Sequence, residues 1–229
     1  MSWLSRYLNS SLGMKQVMAL TGLGLSLFAL IHMLSHLQLF ISLKAYNDYA
    51  AGMQSLGGLL WVARGGLLFI VLVHILTAFR LISANRAARP QGYKIFKPER
   101  SKFYSRGIMT LSGLLLLAFI VFHILHFTTG TVMTEAFDQH HVVNGVSQHN
   151  VSAMVITSFL NPLVAIGYVV LMGFLCMHLA HGMSSWFQSL GLNHPKYNGV
   201  IKKVGPIFGV LLFIGYASIP IGVLAQVIK

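Results

Sequence analysis

Five stretches of this chain are too long and too apolar for the surface or turns of a water-soluble protein of 229 residues. They run from about Gln16 to Ile41, Gly58 to Ile82, Gly107 to Thr129, Val155 to Leu190 and Pro206 to Val227. Crossing the hydrocarbon core takes about 20 predominantly apolar residues in a helix, and each stretch is long enough. Only 9% of residues are charged and mean hydropathy is +0.72, whereas a soluble domain carries about 25% charged residues. Lipid is therefore the expected solvent. Backbone polar groups exposed to lipid must bond within their own segment, which favours helices. The expected fold is a single all-α domain over residues 1–229, an integral membrane bundle of five helices.

The connections set the expected orientation. The lead-in through Lys15, the segment from Arg80 to Arg106 and the stretch from Gly191 to Lys203 together hold thirteen Lys and Arg against one acid, Glu99. The opposite side holds Lys44, Arg64 and Lys229 against Asp48, Glu135 and Asp138. The net charge of +12 thus gathers on one side. Positive residues mark the cytoplasmic side, so the N-terminus is expected inside and the C-terminus outside. Such a charge on a soluble face would suggest nucleic acid, but here it lies between spans, so no nucleic-acid partner is expected. The first apolar stretch continues to Phe40, beyond the roughly 7–15 residues of a signal h-region, and is read as a span. Residues 42–57 read as a polar loop whose tyrosines suit the headgroup belt. Residues 130–152 read as a second polar loop, with His140, His141 and His149. Asn161-Pro162 starts or kinks span four, and Pro220 reads as a late kink in span five. A single cysteine, Cys176, rules out an intramolecular disulfide.

Each of the first four spans carries a deeply placed histidine: His32, His74, His123 and His178. Ionisable residues inside a bilayer are rare and mark functional sites. At about 1.5 Å per residue, His32 and His123 lie roughly 24 and 22 Å from the inner boundary, and His74 and His178 each roughly 12 Å from it. Depth alone pairs His32 with His123 near the outer side and His74 with His178 near the inner side. Two imidazoles facing each other from two helices suit the axial positions of a six-coordinate haem iron. Gly22, Gly24, Gly65, Gly66, Gly113, Gly167 and Gly173 offer room for a flat cofactor, or for close helix packing.

Companion residues lie beside these four. His36, His126 and His181 follow their neighbours at helical spacing and are candidates for bonding haem propionates or a quinone oxygen, or for bracing the bundle. Arg64 and Arg80, on either side of His74, are candidates for pairing with propionates, or snorkel to the headgroups. The same spacings permit zinc chelation, but no Asp, Glu or Cys accompanies them. A transporter is a further alternative, although no internal repeat is evident.

The ordered set of motifs resembles a family. It comprises His32-Met-Leu-Ser-His36-Leu-Gln-Leu-Phe40 ending the first span and His74 followed by Asn85-Arg-Ala-Ala-Arg-Pro90. Then come His123-Ile-Leu-His126-Phe, His178-Leu-Ala-His181-Gly and Gln188-Ser-Leu-Gly-Leu-Asn-His-Pro195. Over nearly its whole length the chain resembles the di-haem cytochrome b membrane anchors of succinate dehydrogenase or fumarate reductase, in their five-helix, single-subunit form. The resemblance implies two haems b, an outer one on His32 and His123 and an inner one on His74 and His178. It further implies a flavoprotein (FAD) and an iron–sulfur subunit docked on the cytoplasmic face of a bacterial inner membrane. The implied substrate is a membrane quinone, commonly menaquinone, and this subunit would carry only the quinone half-reaction. Another quinone-linked dehydrogenase is the alternative complex. Two features depart from the family. Position 36 is His where relatives often have Asn, and no span holds the acidic residue that some quinol-oxidising members use for protons. His36, His126 or His181 are then the candidates for relaying protons.

Overall fold

The computed structural model describes residues 2–88, 103–143 and 145–229, with backbone only for 103–107. It is 80% helical and contains five helices long and apolar enough to cross a membrane, the architecture of a multi-pass membrane protein. Ser2 caps a short α1 (Trp3–Leu8), and Ser10 caps α2 (Ser11–His36), which ends in a tight 3-10 turn, Leu37–Phe40. The other long helices are α4 (Gly58–Ala87), α5 (Phe103–Phe127), α8 (Pro162–Ser189) and α9 (Asn198–Leu224). Most of the basic connection after α4 lies outside the described residues, although Asn85 to Ala87 still belong to the helix.

Three sequence expectations need correction and one is met. Residues 42–57 are not a loop. They form α3 (Leu43–Ser55), opened by the Ser42 cap and supported by a Lys44–Asp48 pair one turn apart. Tyr46, expected in a headgroup belt, is instead buried at 3% exposure. Residues 130–152 fold into α6 (Thr134–Phe137) and a small antiparallel hairpin of β1 (His140–Val143) and β2 (Val146–His149), so the chain is not wholly α. Gly145 turns the hairpin with φ +78°, a conformation that side chains resist. The expected start or kink at Asn161-Pro162 is present: the fourth apolar stretch divides there into α7 (Val151–Phe159) and α8. Asn161 caps α8, and Pro162 sits at its first turn, where a missing N–H costs nothing. The fifth helix begins eight residues earlier than expected, at Asn198, and contains Pro206 and Pro220 without breaking.

Close packing centres on α8, which lies against α2, α5 and α9. The α8–α9 contact is backbone to backbone. A Cβ on Gly205 would lie 2.1 Å from the Ala180 carbonyl oxygen, and one on Gly209 2.8 Å from that of Cys176. Small residues allow such approach where apolar lipid gives no hydrophobic drive. α4 packs chiefly on α2, and Thr77 is its one buried residue among those described. Over one end of the bundle sits a small deck of α3, α6, the hairpin and α7. Asn47 fastens it: its amide nitrogen donates to Asn150 Oδ1 and Ser152 Oγ, both at 3.0 Å, and its oxygen accepts from the Ser152 N–H at 2.8 Å.

Candidate functional site

The four span histidines fall into two layers. In the layer nearer the start of α2, His74 and His178 are held in mirrored fashion. The Thr21 hydroxyl lies 3.0 Å from His74 Nδ1, and the Ser112 hydroxyl 3.0 Å from His178 Nδ1. Each hydroxyl precedes a glycine that faces the same ring. A Cβ on Gly22 would come 3.3 Å from His74 Cε1, and one on Gly113 3.6 Å from His178 Cε1. The other glycines considered above, Gly65, Gly66 and Gly167, face no neighbouring group within 4 Å, and Gly24 and Gly173 face apolar side chains.

Proton accounting sets the ring tautomers in this layer. Thr21 donates its own hydrogen to the Val17 carbonyl at 2.7 Å, and Ser112 donates to that of Met109 at 3.2 Å. Each hydroxyl therefore offers its imidazole a lone pair. In that arrangement Nδ1 of each ring carries the hydrogen and Nε2 keeps a lone pair for a ligand. Sequence reasoning found the histidines but missed Thr21 and Ser112. A hydroxyl inside an apolar helix usually bonds its own backbone, and only the fold brings residues 53 and 66 positions apart together.

The other layer is built differently. His32 and His123 meet edge to face with ring centroids 5.9 Å apart. His32 Nε2 lies 3.2 Å from His36 Nε2, and His36 Nδ1 bonds the Tyr46 hydroxyl at 2.7 Å. His123 Nδ1 is buried without a hydrogen-bond partner among the described residues. A buried unpaired nitrogen is costly and fits a site completed by a further group. Burial raises the Tyr46 phenol above its ordinary range, and Tyr49 adds to this, so Tyr46 keeps its proton as a donor or relay.

The companion residues separate. His36 lies within the layer of His32 and His123. His126 is fully buried with both ring nitrogens engaged, Nδ1 with the Tyr168 hydroxyl at 2.9 Å and Nε2 with that of Ser158 at 3.0 Å. Ser158 gives its own hydrogen to the Met154 carbonyl, so His126 Nε2–H donates and Nδ1 accepts from Tyr168. In this arrangement His126 ties α5 to both sides of the α7–α8 break. His181 is exposed on α8, within electrostatic reach of His178.

Two clefts adjoin the layers. One, of about 460 Å³, opens at the inner-layer end and is lined by Arg80, Thr77, Ser2, Ser5 and Asn9. The other, of about 290 Å³, is walled by His32, His36, Tyr46, Arg64, Phe127 and His149. Arg64 stands 5.0 Å over the Trp61 ring at its rim. Arg64 thus shares a cleft with His32 and His36, whereas the lining of the Arg80 cleft includes neither His74 nor His178. Among the described residues, no group of three or more His, Cys, Asp or Glu is arranged to hold a metal ion. Fold and site define the class: a helical multi-pass membrane protein with histidines layered across its bundle. No family model, curated protein or solved structure matches the chain.

Proposed function

We propose that this chain is a membrane cytochrome b that holds two haems and serves as the quinone-reactive anchor of a succinate:quinone oxidoreductase. One observation carries the reading: the mirrored Thr21-Gly22 and Ser112-Gly113 cradles. Each orients a histidine and presents its Nε2, and each glycine leaves the space beside the ring open. Two opposed single-nitrogen ligands suit a macrocycle that brings its own four equatorial nitrogens. His74 and His178 would hold the inner haem, with Arg80, Ser2 and Ser5 near its carboxylates, and His32 and His123 the outer one, with Arg64 nearby. When bound, haem supplies a one-electron iron couple. The protein supplies ligands, a fixed tautomer and an apolar, water-poor setting.

The 290 Å³ cleft supports the quinone assignment. It borders the outer histidines and offers His36 and Tyr46 as hydrogen-bonding groups within an apolar wall. The basic side of the chain would face the cytoplasm of a bacterium and dock the flavoprotein and iron–sulfur subunits. Purified protein should give a reduced-minus-oxidised spectrum of b haem, and its redox titration should resolve two one-electron steps. A preparation that folds and contains no iron would overturn the proposal. A preparation with two haems that co-purifies with a dehydrogenase other than a flavoprotein–iron–sulfur pair would overturn the choice of complex alone.

A further inference from the structure

The outer hairpin turns three polar residues that the site does not use into a line from the cleft to the surface. His149, at the end of β2, lines the cleft. Its cross-strand partner is His140, with ring centroids 5.6 Å apart. His140 Nδ1 lies 3.3 Å from Asp138 Oδ1, and both side chains are well exposed, the carboxylate at 78%. Phe137 packs on His149 at 4.9 Å and shields its other side. Hydrogen bonding sets the inner end of the line. His149 Nε2 is 3.4 Å from the Met154 sulfur, which can only accept, so Nε2 carries the hydrogen and Nδ1 is the basic nitrogen of the neutral ring.

We propose that His149, His140 and Asp138 form the proton route between the cleft and the outer surface. This rests on the reading of the cleft as a quinone site. Oxidation of one quinol breaks two O–H bonds. Its two electrons leave one at a time to a one-electron acceptor, haem iron in the reading above, and its two protons must leave the cleft. Each passes to His149 Nδ1, on to His140, and out past Asp138, whose carboxylate lies 3.3 Å from His140 Nδ1. Quinone reduction runs the same line inward. Burial, with His140 adding and Asp138 opposing, lowers the affinity of His149 for a proton, so the ring rests neutral and ready to accept. The other titratable or charged groups lining the cleft are His32 and His36 of α2, Tyr46 and Tyr49 of α3 and Arg64 of α4. None of them is on the hairpin, which makes His149 the link between the cleft and that surface. The position suits a chain with no acidic residue in any of its five spanning helices as described.

The test uses the full, haem-loaded chain in vesicles, with a short-chain naphthoquinol as the probe. Rapid-mixing absorbance follows haem reduction, quenching of intrinsic fluorescence follows quinone binding, and a pH-indicating dye follows proton release. His149→Ala should slow haem reduction on the order of a hundredfold with the haem spectrum unchanged, and free imidazole should restore much of the rate. Asp138→Asn, on an exposed side chain, should slow it less and raise the solvent isotope effect. Wild-type rates in both variants, or a loss in His149→Ala that imidazole does not restore and that weakens quinone binding, would overturn the route. Ala50→Trp, which fills the cleft, separates the two readings. If it leaves quinol-driven reduction intact, the cleft assignment fails and the route with it. If it blocks reduction while His149→Ala and Asp138→Asn do not, only the route fails.

Discussion

Thr21 on α2 accepts a hydrogen bond from His74 on α4 and hands its own hydrogen to the carbonyl of Val17, one turn back along its helix. The imidazole is thereby locked as the Nδ1–H tautomer, and Ser112 does the same for His178. Substituting a side chain of equal shape without the acceptor isolates this effect. Thr21→Val and Ser112→Ala should each weaken retention of the inner haem by roughly 10–100-fold. Loss of the bond to Nδ1–H makes the ligand less basic, so the midpoint potential of that haem should rise. Redox titration checks this, and Thr21→Ser should restore the wild-type value.

Removing the ligands themselves should act layer by layer. His74→Ala or His178→Ala should abolish one of the two haem signals, and His32→Ala or His123→Ala the other. Haem-to-protein stoichiometry in the purified variants decides. Loss of both signals from every single variant would show that the layers do not bind independently.

A third expectation concerns stability alone. Asn47 closes three hydrogen bonds between α3 and α7. Asn47→Ala leaves the half-buried Asn150 and the buried Ser152 short of partners and should cost about 1–3 kcal/mol. A lowered thermal midpoint in detergent, with haem content unchanged, is the expected result.

The hairpin should make stability depend on pH. Burial holds the folded-state pKa of His149 below its ordinary 6.5, and the nearby His140 adds to this while Asp138 opposes it. The unfolded chain therefore binds a proton at a higher pH than the folded one. This contribution is unaffected above about 6.5 and turns destabilising as the pH falls through that value toward the lowered one. Comparing thermal midpoints at pH 7.5 and 5.5, wild type should lose more than His149→Phe.

The long helices were legible because an apolar run of that length has one stable form in lipid, and the rise per residue placed four histidines in two layers before any fold was known. The deck was not. α3 is polar enough to pass for a loop, and its Tyr46 reads as a headgroup anchor until the fold buries it against His36. The hairpin consists of two four-residue strands, too short for an alternating pattern to stand out. The break before Pro162 was legible, because Asn161-Pro162 marks a helix start within an apolar run, but that α7 precedes it as a separate helix was not, since α7 is as apolar as α8. The hydroxyls beside His74 and His178 belong to the same category: their significance lies in a partner on another helix.

The second spanning helix of the chain is also the one least held by the others, because α4 leans on α2 and buries only Thr77 among its described residues. It nevertheless carries His74, one of the two haem ligands proposed for the layer it shares with His178. A cofactor joined to both His74 and His178 would act as a strut between α4 and α8. Maturation of the protein would then be governed by haem supply, and chains made under haem limitation should be cleaved by added protease next to α4 while the tightly interlocked α8–α9 pair survives intact.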